Sequence, residues 1–245
     1  MQSTDFERRE IFLLHIPKTK KISDYNRKIE FNGKFIKRAK SIKYLGITLD
    51  EFLNWNEHTS NLCNSLKSFF SVFYNIRDYL FPENCRTIYY TLVYSKIRYG
   101  ICEYGFTKAE NMNKIQVLQN KLLKVLTKKE MTYSTNKLHN DLHALQVNDI
   151  FLQEIISFVC SYLNNKLPVV FQGYFRRFNE VHQYGTRGCS NSLVIPKCKS
   201  DVSKKTVKTM GCIAWNEISN GLKNIVNPKS FRKAIKEDIL PYSTS

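Results

Sequence analysis

At 245 residues, with 42% hydrophobic and 13% aromatic side chains and only nine glycines and six prolines, the chain is long enough to bury a core and too apolar to be disordered. Its 38 Lys and Arg against 21 Asp and Glu give a formal charge of +17, which favours polyanions, nucleic acid first and a membrane surface second, although a Lys-, Asn- and Ile-rich composition alone makes a protein basic. No apolar run approaches the ~18 residues of a transmembrane helix, no signal peptide is recognised, and the seven cysteines form no CxxC pair, so a reduced intracellular protein, nuclear or cytoplasmic, is expected.

In chain order, Ile11, Leu13 and Leu14 make a short apolar run that Pro17 ends, before Lys18, Thr19, Lys20 and Lys21. Residues 28–36 alternate polar and apolar around Asn32-Gly33, a pair that takes the positive φ angles of a type I′ turn, so a hairpin is predicted. Ile42, Tyr44, Ile47 and Leu49 predict a further strand, with a bulge or a close backbone approach at Gly46. Asp50 stands where it can cap a following helix. The first fifty residues therefore read as a small antiparallel sheet, and the chain then changes character.

From Glu57 the apolar period becomes helical. Leu62, Leu66, Phe69, Phe70, Phe73 and Leu80 fall on one face, and Pro82 opens a second helix carrying Ile88, Tyr89, Leu92, Val93 and Ile97. A third spans 109–129, with Ile115, Leu118, Leu122, Val125 and Leu126 inward and Lys114, Lys121, Lys124 and Lys128 along a basic flank. Shorter and longer helices follow near 135–145 and 148–164, then a loop over 179–203, a helix around Gly211 and a closing segment capped by Asn227. The fold class expected is mainly α with a small N-terminal antiparallel β-sheet (α+β), divided at 1–50, 51–130 and 131–245.

Catalytic signatures are missing from this reading. His139 and His143 have metal-ligand spacing, but no HExxH pattern or third ligand supports them, and they read as two partly exposed helix histidines. Cys189 and Cys198 likewise lack partner histidines. No GxSxG, Walker A or GxGxxG motif occurs, and no pair of carboxylates stands out as a two-metal site. Basic and aromatic residues are more informative. Lys40, Lys43, Lys67, Arg77, Arg86, Lys96 and Arg98 lie close in sequence to Tyr44, Tyr89, Tyr90, Tyr94 and Tyr99. Such cations neutralise phosphates and such rings stack on bases or sugars; the alternative is tyrosines at the core rim and a solvated basic face.

Several segments resemble, in order, the reverse transcriptases of non-LTR (LINE-type) retrotransposons. KYLG at 43–46, I-x-L-D at 47–50 and L-x-W-x-x-H at 53–58 are similar to the strand and helix that leave the palm of these polymerases. Lys18-Thr19-Lys20 is similar to the KTK after their catalytic turn, and residues 29–34 to the hairpin before the KYLG strand. Tyr89–Tyr94, Tyr99-Gly100 and residues 115–124 resemble the thumb, with Tyr104-Gly105 where a Trp-Gly is usual. His182, Tyr184, Thr186 and Arg187, then Gly211 and Trp215-Asn216, resemble the carboxy-terminal region.

The resemblance implies a palm remnant followed by a thumb-like helical bundle. It makes Lys43, Tyr44, Leu45 and Gly46 a primer grip, Lys67 and Arg77 phosphate contacts, and Lys18 or Lys20 remnants of proton transfer to pyrophosphate. The partner it implies is an RNA–DNA hybrid or other nucleic acid, with no membrane. In the family the metal-binding aspartates lie before the KTK, and Asp5, Glu7 and Glu10 do not have their pattern. The expectation is therefore a truncated polymerase fragment with no catalytic residues and no cofactor of its own, Mg2+ belonging only to the intact enzyme. The alternative is a non-catalytic nucleic-acid-binding or interaction protein derived from a retrotransposon.

Overall fold

A computed structural model describes residues 12–13, 29–181, 192–198 and 201–239. The chain forms two compact units, residues 1–61 and 62–245, whose boundary falls inside one helix.

Among its described residues the first unit carries six short strands: β1 (Phe12–Leu13), β2 (Glu30–Phe31), β3 (Lys34–Phe35), β4 (Lys37–Arg38), β5 (Ser41–Tyr44) and β6 (Ile47–Asp50). β2 and β3 form the hairpin predicted at Asn32-Gly33, whose φ angles of 51° and 72° are those of a type I′ turn. The other elements differ from a single antiparallel sheet. β1 pairs with β4 in parallel, and β5 pairs with β6 in a second hairpin, giving three separate two-stranded ladders.

The single strand expected over 42–49 is thus folded back on itself. Leu45 and Gly46 both adopt positive φ, 46° and 81°, so the KYLG segment is a tight turn and not a bulged strand. Asp50 also acts differently from a helix cap. Its carboxylate accepts the backbone N–H of Phe52 and Asn54 at 3.0 Å and of Trp55 at 2.8 Å, organising the loop in which Leu53 and Trp55 take positive φ. Three amides turned toward one carboxylate are a local alternative to helix initiation, which is delayed to Asn56. His58, buried, accepts the Thr48 N–H on Nδ1 and ties α1 (Asn56–Lys67) to the second hairpin.

The second unit is helical. After α1 come α2 (Phe69–Ile76), a 3-10 turn at Arg77–Tyr79, α3 (Pro82–Ile88), a π-helical stretch at Tyr89–Tyr94, α4 (Ser95–Arg98), α5 (Ile101–Tyr104) and α6 (Ala109–Leu126). Then follow α7 (Thr135–Asp141), α8 (Val147–Leu163), a 3-10 turn at Val169–Phe171, α9 (Phe178–Val181), α10 (Asp201–Lys204), α11 (Val207–Glu217), α12 (Asn220–Lys223) and α13 (Pro228–Ile239). Asn227 caps the last helix as expected, its side-chain oxygen accepting the Lys229 N–H at 2.9 Å.

α8 organises this unit, packed against α4, α5, α6, α11 and α13. Its sequence explains that position: Ile150, Ile155, Ile156 and Val159 are buried, and Phe151, Phe158 and Tyr162 occupy the flanks, so it is apolar nearly all round. Small residues set how closely its neighbours approach. A Cβ at Gly211 of α11 would stand 2.9 Å from Val159 Cγ2, and one at Gly105 would stand 2.2 Å from Phe151 Cδ2. Trp215 packs on Phe231 with ring centroids 5.9 Å apart, while Asn216 exchanges two hydrogen bonds with the backbone of Leu193, at 2.8 and 2.9 Å. No helix among the described residues is long and apolar enough to cross a membrane.

Candidate nucleic-acid interface

In the first unit four predicted site residues come together at the tip of the β5–β6 hairpin. Lys43 lies opposite Thr48 and Tyr44 opposite Ile47, with Leu45-Gly46 as the turn. Lys43 is exposed, and Tyr44 and Leu45 are 62% and 71% exposed, a large apolar surface beside a cation. A leucine held in the left-handed region is rare and costs about 1–2 kcal/mol. The strain is borne at an exposed tip, in a two-residue hairpin loop whose geometry calls for positive φ at both positions. Beneath the tip the hairpin is anchored by Thr48, whose N–H is held by His58 and whose hydroxyl accepts from Asn61 at 3.4 Å.

In the second unit Lys67 is exposed in the last turn of α1, and Arg77 lies over the Tyr74 ring, 4.5 Å from its centroid. Sequence reasoning missed what surrounds Arg77. Tyr79 and Phe81 are 85% and 71% exposed and Tyr74 47%, so the end of α2 and the turn after it expose three aromatic rings, one of them under the Arg77 guanidinium. The signal was present as Tyr74, Tyr79 and Phe81 near Arg77, yet a helical stripe and a rim of aromatics cannot be told apart by period alone. Lys18 and Lys20 lie outside the described residues, as do His182, Tyr184, Thr186 and Arg187.

Most of the tyrosines proposed for stacking are not available for it. Tyr89 is fully buried, its hydroxyl 2.6 Å from Gln119 Nε2, and burial pushes its phenol well above the usual range. Tyr94 bonds Gln153 at 3.2 Å, and Tyr90 donates to the His143 carbonyl at 2.6 Å. These rings pack against one another, with Tyr90 and Tyr94 centroids 4.9 Å apart. Tyr99 and Tyr44 remain exposed. The basic flank of α6 is likewise partly engaged. Lys114 pairs with Glu110 at 2.7 Å, Lys128 with Asp78 at 3.0 Å, and the buried Lys124 donates to the Met131 carbonyl at 2.7 Å.

His139 departs from the expected exposed helix position. It is 1% exposed, its Nδ1 2.8 Å from the Ala144 carbonyl, and burial holds it below the ordinary histidine range. With Asn120, Gln116 and Gln119 it fastens α6 to the segment 144–147: Gln119 Nε2 donates to the Leu145 carbonyl at 2.8 Å and Gln116 accepts the Val147 N–H at 2.7 Å. His143, by contrast, is exposed. The six described cysteines are free thiols, four of them buried, in keeping with small apolar residues.

A cleft of about 530 Å3 between α8, α11, the residues that follow it and α13 is lined by Leu152, Ile156 and Ile235 and rimmed by Asp149, Glu217 and Asp238. Its charge is opposite to what a polyanion requires. No group of three or more His, Cys, Asp or Glu that could hold a metal ion occurs among the described residues.

No family profile matches the chain, and no solved structure matches it. Among curated proteins it is 28% identical over 157 residues to the RNA-directed DNA polymerase from mobile element jockey of Drosophila melanogaster. It is 29% identical over 133 residues to a probable RNA-directed DNA polymerase from transposon BS of the same organism. It is 27% identical over 124 residues to the jockey polymerase of Drosophila funebris. These matches cover 62%, 53% and 49% of this chain but only 15%, 15% and 14% of the relatives' own lengths. The chain is thus similar to part of the reverse transcriptases of non-LTR retrotransposons.

Proposed function

We propose that this chain is the primer–template-binding portion of a retrotransposon RNA-directed DNA polymerase, gripping nucleic acid without catalysing synthesis by itself. The observation that carries this reading is the exposed Lys43–Gly46 turn, in which a cation, a tyrosine and a strained leucine stand together on a braced hairpin. Backbone cations fix register and position on a duplex without reading sequence. Lys43 supplies such a contact, Tyr44 a face for a sugar or base, and the Leu45-Gly46 turn a narrow approach. Lys67 and Arg77, the latter beside exposed aromatic rings, serve phosphates and unpaired bases in the second unit. The aspartates that hold the metal ions in such polymerases are assigned to no residue of this chain, so its contribution is binding.

The test is binding of a fluorescent RNA–DNA hybrid across a salt series. A slope of log affinity on log salt of roughly −0.9 per neutralised phosphate is expected, and Lys43→Gln should reduce it by about one contact. A slope near zero overturns the reading. Primer extension on an RNA template with magnesium or manganese should give no product; incorporation by the pure chain, abolished by heating, would refute the non-catalytic part alone.

A further inference from the structure

Away from the hairpin tip, two cations meet around one tyrosine. Lys236 of α13 places Nζ 2.5 Å from the Tyr90 hydroxyl and 4.7 Å from the Tyr90 ring centroid. Arg86 of α3 sets its guanidinium carbon 5.8 Å from the same centroid. Among the described residues no carboxylate pairs with either. Glu237, the acidic group that acts on Lys236, has a largely exposed side chain 3.9 Å from Lys233, and Glu154 nearby is already shared by Arg98 and Arg232. Tyr90 cannot supply the negative charge. Burial pushes its phenol up to about 12, and its proton is committed to the His143 carbonyl. Like charges held together in a half-buried setting destabilise each other unless something neutralises them.

We infer that Arg86, Tyr90 and Lys236 form a seat for a phosphate oxyanion, with the guanidinium and the ammonium, both gathered at the tyrosine, as charged donors. Arg suits this role because its planar fork meets two oxygens at once, and Lys adds a point charge. The seat joins α13 to the α3–π-helix segment, so a bound anion fastens the chain's closing helix to its neighbour. The missing counter-charge has a visible consequence. Burial, followed by the charge of Arg86, pulls the Lys236 ammonium down to about 8. The inference does not rest on the role given to the hairpin tip.

The same consequence supplies the assay. A lysine with this protonation equilibrium is about half uncharged near pH 8, against well under about one part in a hundred for an ordinary exposed one, and so acylates the faster. The full-length chain is treated briefly with an acetyl N-hydroxysuccinimide ester in phosphate-free buffer, and peptide masses report Lys236 against the exposed Lys233. Lys236 should react the faster, and inorganic phosphate should slow it several-fold at constant ionic strength while leaving Lys233 unchanged. A short RNA–DNA hybrid in place of phosphate separates the sources: protection by hybrid identifies a backbone phosphate, and protection by phosphate alone a free anion. Arg86→Gln, checked by circular dichroism for folding, should lose the protection. Equal reactivity of the two lysines overturns the inference, as does absence of protection by either ligand or protection retained in full by Arg86→Gln.

Discussion

Replacing Gly105 by alanine isolates one packing contact on which the junction of α5 with α8 depends. The backbone there is ordinary right-handed helix, φ −62°, so alanine meets no conformational penalty and the cost is steric. The added methyl would lie 2.2 Å from Phe151 Cδ2 and 2.5 Å from the Ile101 carbonyl oxygen, against the ~3.5–4.0 Å of relaxed contact between carbon atoms. Phe151 cannot swing away freely, because Phe106 packs edge-on against it at 5.0 Å. Overpacking of this kind costs about 1–3 kcal/mol, and the gain in helix propensity, at most ~1 kcal/mol, is small at a position that ends its helix. For a chain of this size the loss corresponds to a fall in Tm of roughly 2–10 °C. Phe151→Ala alone leaves a cavity and should cost about 2–4 kcal/mol, less than a fully buried ring would. The double variant should then cost less than the sum by at least ~1 kcal/mol, because the methyl occupies space the ring has vacated, although the clash with the Ile101 carbonyl persists. Urea titrations followed by circular dichroism measure all three. Additivity within ~0.5 kcal/mol would refute the steric account.

Other consequences are open to measurement. Gln119→Leu strands the Leu145 carbonyl and the Tyr89 hydroxyl in the core and should cost about 2–5 kcal/mol in urea melts, with Tyr89→Phe in the same chain recovering part of it. His58 and His139 are both held below the ordinary range by burial, so the unfolded chain takes up protons first as pH falls. Stability should therefore be constant above about pH 7 and decline as pH drops through 6.5, the ordinary histidine value, with a Tm that does not change between pH 7.5 and 5.5 ruling this out. Burial pushes the Cys102 thiol up to about 12 and Cys212 up to about 11, so both should resist iodoacetamide at pH 8 in the native chain and react once it is unfolded. Gly46→Val places a β-branched residue at φ 81° and should destabilise the hairpin and weaken hybrid binding together, whereas Lys43→Gln should weaken binding without shifting Tm.

The helical half of the molecule was accessible from its sequence because apolar period is a strong local signal. Leu66, Phe73, Val93, Ile97, Ile115, Leu122 and Val125 are all buried where the stripes place them. The Asn32-Gly33 hairpin was equally accessible, since that dipeptide has few other uses. The second hairpin was not. Its turn is Leu45-Gly46, and a leucine at positive φ is disfavoured intrinsically, so β-propensity on both sides reads straight through it. Asp50 looked like a helix cap because capping preference says which side chain accepts amides, not which amides it accepts. The exposed rings at Tyr74, Tyr79 and Phe81 and the seat at Arg86, Tyr90 and Lys236 depend on tertiary placement: Tyr90 and Lys236 are 146 residues apart in sequence.

The residues that most resemble the polymerases divide into two physical classes, and the division bears on what the resemblance can support. Gly105, Gln119, Gly211, Trp215 and Asn216 all serve the interior: two close helix contacts, a core hydrogen-bond network, an aromatic pair and a backbone clasp. Interior residues of this kind keep a helical bundle folded whether or not it touches nucleic acid, so their likeness argues for shared architecture and is silent on activity. Lys43, Tyr44 and Leu45 are different. Their side chains contribute little to the core, and Leu45 is held in a costly backbone conformation at the surface. The two-residue hairpin turn requires positive φ at position 45 but does not require a leucine there, where Asn, Asp or Gly adopts it at less cost. Substitutions at the hairpin tip therefore decide between a binding surface and a bare scaffold, and substitutions in the bundle cannot.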